Sequence, residues 1–235
     1  MESGNLPPRL ALIASMVPVG AHVADVGTDH GLLPAWLLGQ GIAVSAIATD
    51  IRPGPLSRAE ALRRERGLDA MCCILCDGLE GIESFEADTV IIAGMGGENI
   101  AGIIHRAPWA CQGKLLLLQP MSRPEVLRHS LTDMGVAILE ERLVRDSGRI
   151  YPVIRAQGGT PRRLSPAEEY TGQYELVFRE ELFLPMLDGL EKKTETAISG
   201  LQKKKNAAEE DRLAHLLVIR EGLRAMRRRK NAERF

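Results

Sequence analysis

Between residues 22 and 134 short apolar runs alternate with helix-length stretches, and that alternation restricts the folds open to the chain more than any other feature. Strands are expected over residues 22–26, 44–49, 71–75, 89–93 and 115–119. Helices are expected over residues 32–39, 55–66, 98–106 and 123–134. A βαβα order requires a parallel sheet with helices on both faces. Right-handed crossovers make such a sheet doubly wound. Residues 137–145 and 149–157 flank the turn Asp146-Ser147-Gly148 and are expected to form a terminal hairpin. The whole predicts an α/β, Rossmann-like domain: a seven-stranded, mostly parallel sheet whose last strand is antiparallel.

The β pattern stops at Gly158-Gly159-Thr160-Pro161, so a boundary is expected between a domain of residues 1–158 and one of residues 159–235. Beyond it Phe183, Leu187, Leu190, Thr194, Ala197 and Leu201 recur at alternating spacings of four and three, a heptad seam. A second helix carries Leu213, Leu216, Leu217, Leu223 and Met226 on one face, and the polar run 203–211 is expected to hold the turn. Two such helices pack as an antiparallel coiled-coil hairpin. Charge divides at the same place. Residues 1–158 hold 14 basic and 18 acidic residues, net -4, while residues 159–235 hold 16 and 13, net +3. The division suggests two parts with different tasks.

Composition narrows the partners. With 4% aromatic residues the chain lacks a wide stacking platform for single-stranded nucleic acid. The first residues have no basic start followed by an apolar run, and no stretch approaches the roughly 20 apolar residues of a membrane span. A cytoplasmic protein with no membrane partner is therefore expected, with its cysteines reduced. A monomer is favoured, and the sequence leaves open whether the coiled coil pairs within one chain or between chains. Cys73 and Cys76 form a CxxC, but a closed zinc site needs two more ligands and only Cys111 remains, with no histidine pair nearby. Cys72 and Cys73 lie in the apolar run MCCIL and are expected to pack as small hydrophobes in a buried strand. No metal is expected.

The chemistry-bearing residues stand at the ends of the expected strands, where open α/β sheets bind ligands. Asp25-Val26-Gly27-Thr28-Asp29-His30-Gly31 follows the first strand and opens the first helix. A GxGxxG there would bring the backbone against a pyrophosphate. Here Asp25 ends the strand, and Asp29 stands where a second glycine is often found. Two carboxylates repel a pyrophosphate and suit a ligand carrying a sulfonium and an α-ammonium. Charge therefore favours S-adenosylmethionine over NAD. A plain helix cap by Asp29 is compatible with either. Asp50, followed by Ile51, ends the second strand 25 positions after Asp25, where a ribose diol is held. Its plain alternative is a turn residue before Pro53. Cys76-Asp77-Gly78 ends the third strand. Asp77 there can accept the adenine 6-amino group while Gly78 lets the backbone turn, though an ordinary Asp-Gly turn has the same sequence.

Ala93-Gly94-Met95-Gly96-Gly97 ends the fourth strand. Amino-directed adenine methylases carry an NPPY-type motif there, and it is absent. An exocyclic amine has a delocalised lone pair and needs activation, whereas a ring nitrogen has an in-plane lone pair and needs positioning. The glycines allow close approach of cofactor or flat base, or form a phosphate nest at the next helix. Ala93, Gly94 and Met95 are assigned to the cofactor, Gly96 and Gly97 to the substrate. Gln119-Pro120 ends the fifth strand, and Gln119 could bond a base edge. Near the chain's end Arg220, Arg224, Arg227, Arg228, Arg229 and Lys230 are opposed within the run only by Glu221. Phosphate contact by Arg224, Arg227 and Arg228 is expected; a solvated helix end, which also favours cations, is the plain alternative.

Taken together these segments resemble the TrmK family, the bacterial tRNA (adenine-22-N1)-methyltransferases. The likeness runs through nearly the whole chain: Pro8-Arg9-Leu10, VGTDHGLLP at 26–34, CDGLEGI at 76–82, IAGMGGENI at 92–100 and LLLLQP at 115–120. It ends with the Asp146-x-Gly148-x-x-Tyr151 pattern and the helical tail. The resemblance implies a class I methyltransferase domain using S-adenosylmethionine, tRNA as the partner, and methyl transfer to N1 of adenine 22. It also implies a coiled-coil tail that helps hold the tRNA. The family commonly has Asn where this chain has Met121, which removes a polar group on the substrate side. It often has Glu where this chain has Asp50, and either carboxylate can hold a diol. The methylated ring is cationic until it loses a proton from its 6-amino group, and a nearby carboxylate would stabilise that charge. Asp29, not required for ribose or adenine, is the expected catalytic group. Arg9, Arg149 and Tyr151 are expected substrate contacts. A methyltransferase for a small molecule or a protein is opposed by the basic tail, whereas one for another RNA remains an alternative. A non-catalytic cofactor-binding adaptor is opposed by the complete Asp25, Asp50, Asp77 series.

Overall fold

The computed structural model describes residues 6–202 and 207–233. Strands β1 (Ala21–Val26), β2 (Ala43–Asp50), β3 (Met71–Leu75), β4 (Thr89–Gly96), β5 (Leu115–Ser122), β6 (Val136–Asp146) and β7 (Arg149–Gly158) form one sheet. Its order is β3-β2-β1-β4-β5-β7-β6. The first five strands are parallel, and β7 runs antiparallel to β5, with Leu115 opposite Gln157 and Leu118 opposite Ile154. Helices α1 (Pro8–Met16), α2 (Leu32–Gly39), α3 (Pro53–Arg66), α4 (Gly97–Arg106) and α5 (Pro124–Asp133) cover it.

The central strands are apolar on both faces, as a doubly covered parallel sheet requires. Val90, Ile92, Leu116 and Leu118 pack in one core with Ile100 and Ile104 of α4 and Leu127 and Leu131 of α5. Ile91, Leu115 and Leu117 point to the other core, with Ile13 of α1 and Leu33 and Leu37 of α2. Three features depart from expectation. Helix α1 was not foreseen; it begins at Pro8, whose fixed φ and missing N–H suit a first helical position. Strands β4 and β5 extend to Gly96 and Ser122, so the glycine run is strand and helix start rather than loop. Their pairing continues through register shifts at Ala93/Met95 and Met95/Gly96, a bulge that Gly94 allows at φ 81°. Finally, β3 is an edge strand, so Cys72 faces solvent and Cys73 is half-buried, in place of the buried MCCIL run. Burial, aided by a hydrogen bond with Glu60, pushes the Cys73 thiol up to about 12.

Contacts divide the chain into two compact units. One holds the chain up to Glu140 together with Val144–Arg162; the other holds Glu141–Leu143 and the chain from Arg163 onward. The second unit contains α6 (Pro166–Thr171), α7 (Tyr174–Val177), α8 (Phe183–Leu201) and α9 (Ala207–Ala232). A capping box between Ser165 and Glu168 starts α6. Phe183, Leu187, Thr194, Ile198 and Leu201 of α8 are buried, as are Ile219, Leu223 and Met226 of α9. A Cβ on Gly222 would lie 2.5 Å from the Cβ of Ala167, so α6 rests directly on the α9 backbone. Residues 203–206 of the expected turn lie outside the described residues; residues 207–211 are helical.

Ion pairs show that α8 and α9 run antiparallel. Arg227 bonds Asp188 at 2.7 Å and Glu191 at 2.9 Å, and Arg224 bonds Glu195 at 2.8 Å. Arg228 meets Glu221 at 2.8 Å and Arg229 meets Glu175 at 3.2 Å. The basic run is therefore opposed by carboxylates of other helices and not by Glu221 alone. Among the described residues no helix is long and apolar enough to cross a membrane.

Candidate active site

A cavity of about 870 Å³ opens at the C-terminal ends of β1 to β4. This is where β1 hands the chain to β2 on one side and stands against β4 on the other, the switch point at which such sheets bind ligands. Asp25, Gly27, Thr28 and Asp29 line it, as do Asp50, Ile51, Asp77 and Gly78. Ala93, Gly94 and Met95 form the β4 wall, and Arg9 enters from α1. His30, Gly31 and Cys76 do not line it.

Asp25 ends β1 nearly buried, and Thr28 Oγ1 donates to its Oδ2 at 2.6 Å. Burial pushes the Asp25 carboxyl up to about 6, and the Thr28 hydrogen bond offsets part of that rise. The loop that follows is wound through the left-handed region, with φ of 69° at Gly27, 28° at Asp29, 68° at His30 and 68° at Gly31. A Cβ on Gly27 would overlap the Met95 methyl, and one on Gly31 would come within 2.9 Å of the Ala59 Cβ. Gly31 thus serves packing against α3. The Asp29 side chain is 72% exposed at the rim, with Oδ1 3.4 Å from His30 Nε2. That nitrogen lies 2.8 Å from Arg58 Nη1.

Two backbone hydrogen bonds and one from a side chain tie the strand-end loops together: Thr28 N to Thr49 O at 2.9 Å, Cys76 N to Asp50 O at 3.2 Å, and Thr49 Oγ1 to Gly78 O at 3.0 Å. Asp50 is nearly buried, and its Oδ1 accepts from Arg52 N at 2.8 Å. Asp77 is half-exposed and meets Arg106 Nη2 at 3.0 Å. Arg106, Glu98, Asn99 and Gly102 bring α4 to the cavity, and Pro7 and Leu10 bring the start of the chain. Leu10, Glu98 and Asn99 fall within motifs of the sequence but had no role assigned to them, and no motif marked Pro7, Gly102 or Arg106.

The substrate-side expectations need correction. Gln119 is fully buried, with Oε1 accepting from Gly94 N at 3.2 Å and Nε2 donating to Pro120 O at 3.1 Å. It holds the bulged β4 wall instead of facing a base. Pro120 and Tyr151 are buried too, while Arg149 is exposed and does not line the cavity. A Cβ on Gly97 would overlap the Arg123 carbonyl oxygen, and one on Gly96 would lie 3.2 Å from Ser122 Oγ. These glycines let the start of α4 cross the end of β5; neither lines the cavity. Arg9 Nε lies 3.4 Å from Asp146 Oδ2.

Asp25, nearly buried and without an ion-pair partner among the described residues, fits a ligand's ammonium or sulfonium. Asp50, Asp77 and the exposed apolar Ile51 fit a ribose and a purine. The donor set therefore suits S-adenosylmethionine and opposes a pyrophosphate.

The comparisons with known proteins agree. A methyltransferase-domain family model matches residues 6–154. The tRNA (adenine(22)-N(1))-methyltransferase of Bacillus subtilis is 35% identical over 161 residues, 68% of each chain. The crystal structure of the B. subtilis m1A22 tRNA methyltransferase TrmK is 28% identical, with TM-score 0.86 over 94% of this chain and 98% of that one. Streptococcus pneumoniae Sp1610 in complex with S-adenosyl-L-methionine is 28% identical, with TM-score 0.75 over 90% and 98%. With this site on this sheet and these relatives, the chain belongs to the TrmK family of tRNA (adenine(22)-N1)-methyltransferases.

Proposed function

We propose that the chain transfers a methyl group from S-adenosylmethionine to ring N1 of adenine 22 in tRNA. The observation that carries this reading is the carboxylate series Asp25, Asp50 and Asp77, set at three adjacent strand ends around one cavity of a TrmK-family chain. S-adenosylmethionine supplies a methyl group on a cationic sulfur. Asp25 takes the ammonium end, with Gly27 and Thr28 shaping the loop around it. Asp50 takes the ribose hydroxyls, Asp77 the adenine amino group, and Ile51 an adenine face. Gly94 and Met95 wall the opposite side.

A ring nitrogen needs no base to free its lone pair, so the protein's work on the acceptor is placement and charge. Asp29, at the rim, is the carboxylate in place to offset the positive charge that develops on the ring. Of the cavity-lining arginines, Arg52 and Arg106 meet Asp50 and Asp77, so Arg9, which enters from α1, is the one suited to the tRNA side. The second unit holds tRNA through the exposed Arg224 and Arg228, whereas Arg227, forked between Asp188 and Glu191, braces the helical pair. Converting both Arg224 and Arg228 to Gln should raise KM for tRNA several-fold and flatten its salt dependence, with cofactor affinity unchanged. An unaltered KM rejects the assignment.

The reading as a whole is tested by incubating the protein with labelled cofactor and bulk unmodified tRNA, then mapping the methylated nucleotide. Label should appear as 1-methyladenosine at position 22. The enzyme acts in the cytoplasm as a monomer, so the active fraction in that assay should elute as a single chain. Absence of label from tRNA, or label elsewhere, rejects the reading.

A further inference from the structure

Arg123 follows β5 directly and precedes α5. Its backbone is left-handed, with φ 54° and ψ 45°, a conformation that side chains other than Gly, Asn and Asp rarely adopt. The conformation is over-determined by its surroundings. The Arg123 carbonyl oxygen occupies the space a Cβ on Gly97 would fill, and the Ser122 carbonyl oxygen lies 3.2 Å from the same point. The two backbones interlock, and the interlock aims the Arg123 side chain along the start of α4. Its Nη1 lies 3.1 Å from Glu98 Oε1, and its Nε lies 2.8 Å from Glu125 Oε1. Glu98 lines the cavity, and Arg123 stands just outside it, 56% exposed.

Topology gives that position a meaning. Asp25, Asp50 and Asp77 end β1, β2 and β3, so the nucleoside half of the cofactor lies over that side of the sheet. An acceptor base must then enter over β4 and β5, which is the side Arg123 flanks. Charge sharpens the point. Asp25, Asp29, Asp50, Asp77 and Glu98 outnumber the three arginines of the lining, Arg9, Arg52 and Arg106, each of which already meets a carboxylate, and an acidic mouth repels a polyanion. A nucleic acid needs a cation at the entrance. A guanidinium shared between the exposed Glu98 and the part-buried Glu125 can exchange them for a phosphate, whose oxygens match its fork.

We propose that Arg123 is a tRNA-binding residue at the acceptor entrance, gripping a backbone phosphate beside the target adenine by leaving Glu98 and Glu125. The proposal rests on the tRNA reading above. The strained backbone supplies a clean test, because Arg123→Gly removes the side chain and relieves the left-handed strain at once. That variant should raise KM for tRNA about tenfold, leave cofactor affinity within twofold and keep kcat within threefold. The slope of log Kd for tRNA against log salt should fall by roughly 0.7–0.9, one phosphate contact. Arg123→Lys keeps the charge and should keep the wild-type slope, with KM between the two.

A Gly variant with wild-type KM and slope overturns the proposal. So does one that loses cofactor binding or thermal stability in step with tRNA affinity, since the residue would then act only on the fold. A Lys variant whose slope drops like that of Gly overturns it as well. Wild-type enzyme assayed on the same transcripts separates the two levels: failure there defeats the tRNA reading, and failure of the variants alone defeats the role of Arg123.

Discussion

Asp25→Asn should lower cofactor affinity at least 100-fold and, at the same time, stabilise the cofactor-free protein. Both effects come from one buried charge. Burial raises the folded-state carboxyl from 3.8 to about 6, so the folded chain holds that proton more tightly than the unfolded chain. The sign follows by linkage. The contribution to stability is fully present below 3.8 and is lost as pH rises through about 6. At pH 8 the ionised carboxylate therefore costs about 3 kcal/mol, a ceiling set by the distance between those two values. Asn has the same shape, no charge, and an oxygen that can still accept from Thr28. Its Tm at pH 8 should rise by several degrees, and the gain should vanish near pH 4. The loss has the opposite origin. A cationic ligand end is the partner the carboxylate lacks, and Asn offers it no charge. An affinity loss of 100-fold corresponds to about 2.7 kcal/mol. In wild type, cofactor affinity should also fall as pH drops below 6, because ligand binding then has to expel a proton. Calorimetric titration of both proteins from pH 5 to 8 reads the affinities, and thermal melts at pH 4 and pH 8 read the stabilities. An Asn variant that binds with wild-type affinity removes Asp25 from the site.

What was legible in the chain was local. Strand ends marked by Asp25, Asp50 and Asp77 could be read because each carboxylate immediately follows an apolar run. The sheet order then brings three such ends together without further information. The terminal hairpin was legible for the same reason, its turn lying between two alternating stretches. Helix α1 was missed because two prolines precede a short segment of low contrast, although proline at a first helical position is itself a start signal.

What was not legible depends on contacts across long stretches of chain. Gln119 resembles a base-reading side chain at a strand end, yet its amide holds Gly94, 25 residues away. Gly97 resembles part of a ligand-approach loop, yet its missing Cβ makes room for the Arg123 carbonyl. Arg227 resembles part of a phosphate-binding face, yet its partner Asp188 lies 39 residues earlier. Cys72 resembles a core residue because the run MCCIL is apolar, but only the strand order shows that β3 is at an edge. In each case the residue type was informative about chemistry and silent about the partner that claims it.

Asp29→Asn should cut turnover about 100-fold while leaving cofactor affinity within a few-fold. Asn is the right replacement because Asp29 sits at φ 28°, in the region Asn enters more readily than Ala. With a side chain 72% exposed, the change should move stability by no more than about 0.5 kcal/mol. What it removes is a negative charge at the rim, beside the place where the acceptor ring turns cationic. Asp29 lines the cavity, so its carboxylate is in place to act there. A 100-fold loss in kcat is about 2.7 kcal/mol, the range seen when one preorganised electrostatic contact is removed. With the cofactor held by Asp25, Asp50 and Asp77 as proposed, the loss should appear in kcat at saturating cofactor and tRNA. Wild-type kcat in Asp29→Asn would leave the rim carboxylate with no part in the chemistry. A loss recovered by raising cofactor concentration would make Asp29 a binding residue alone.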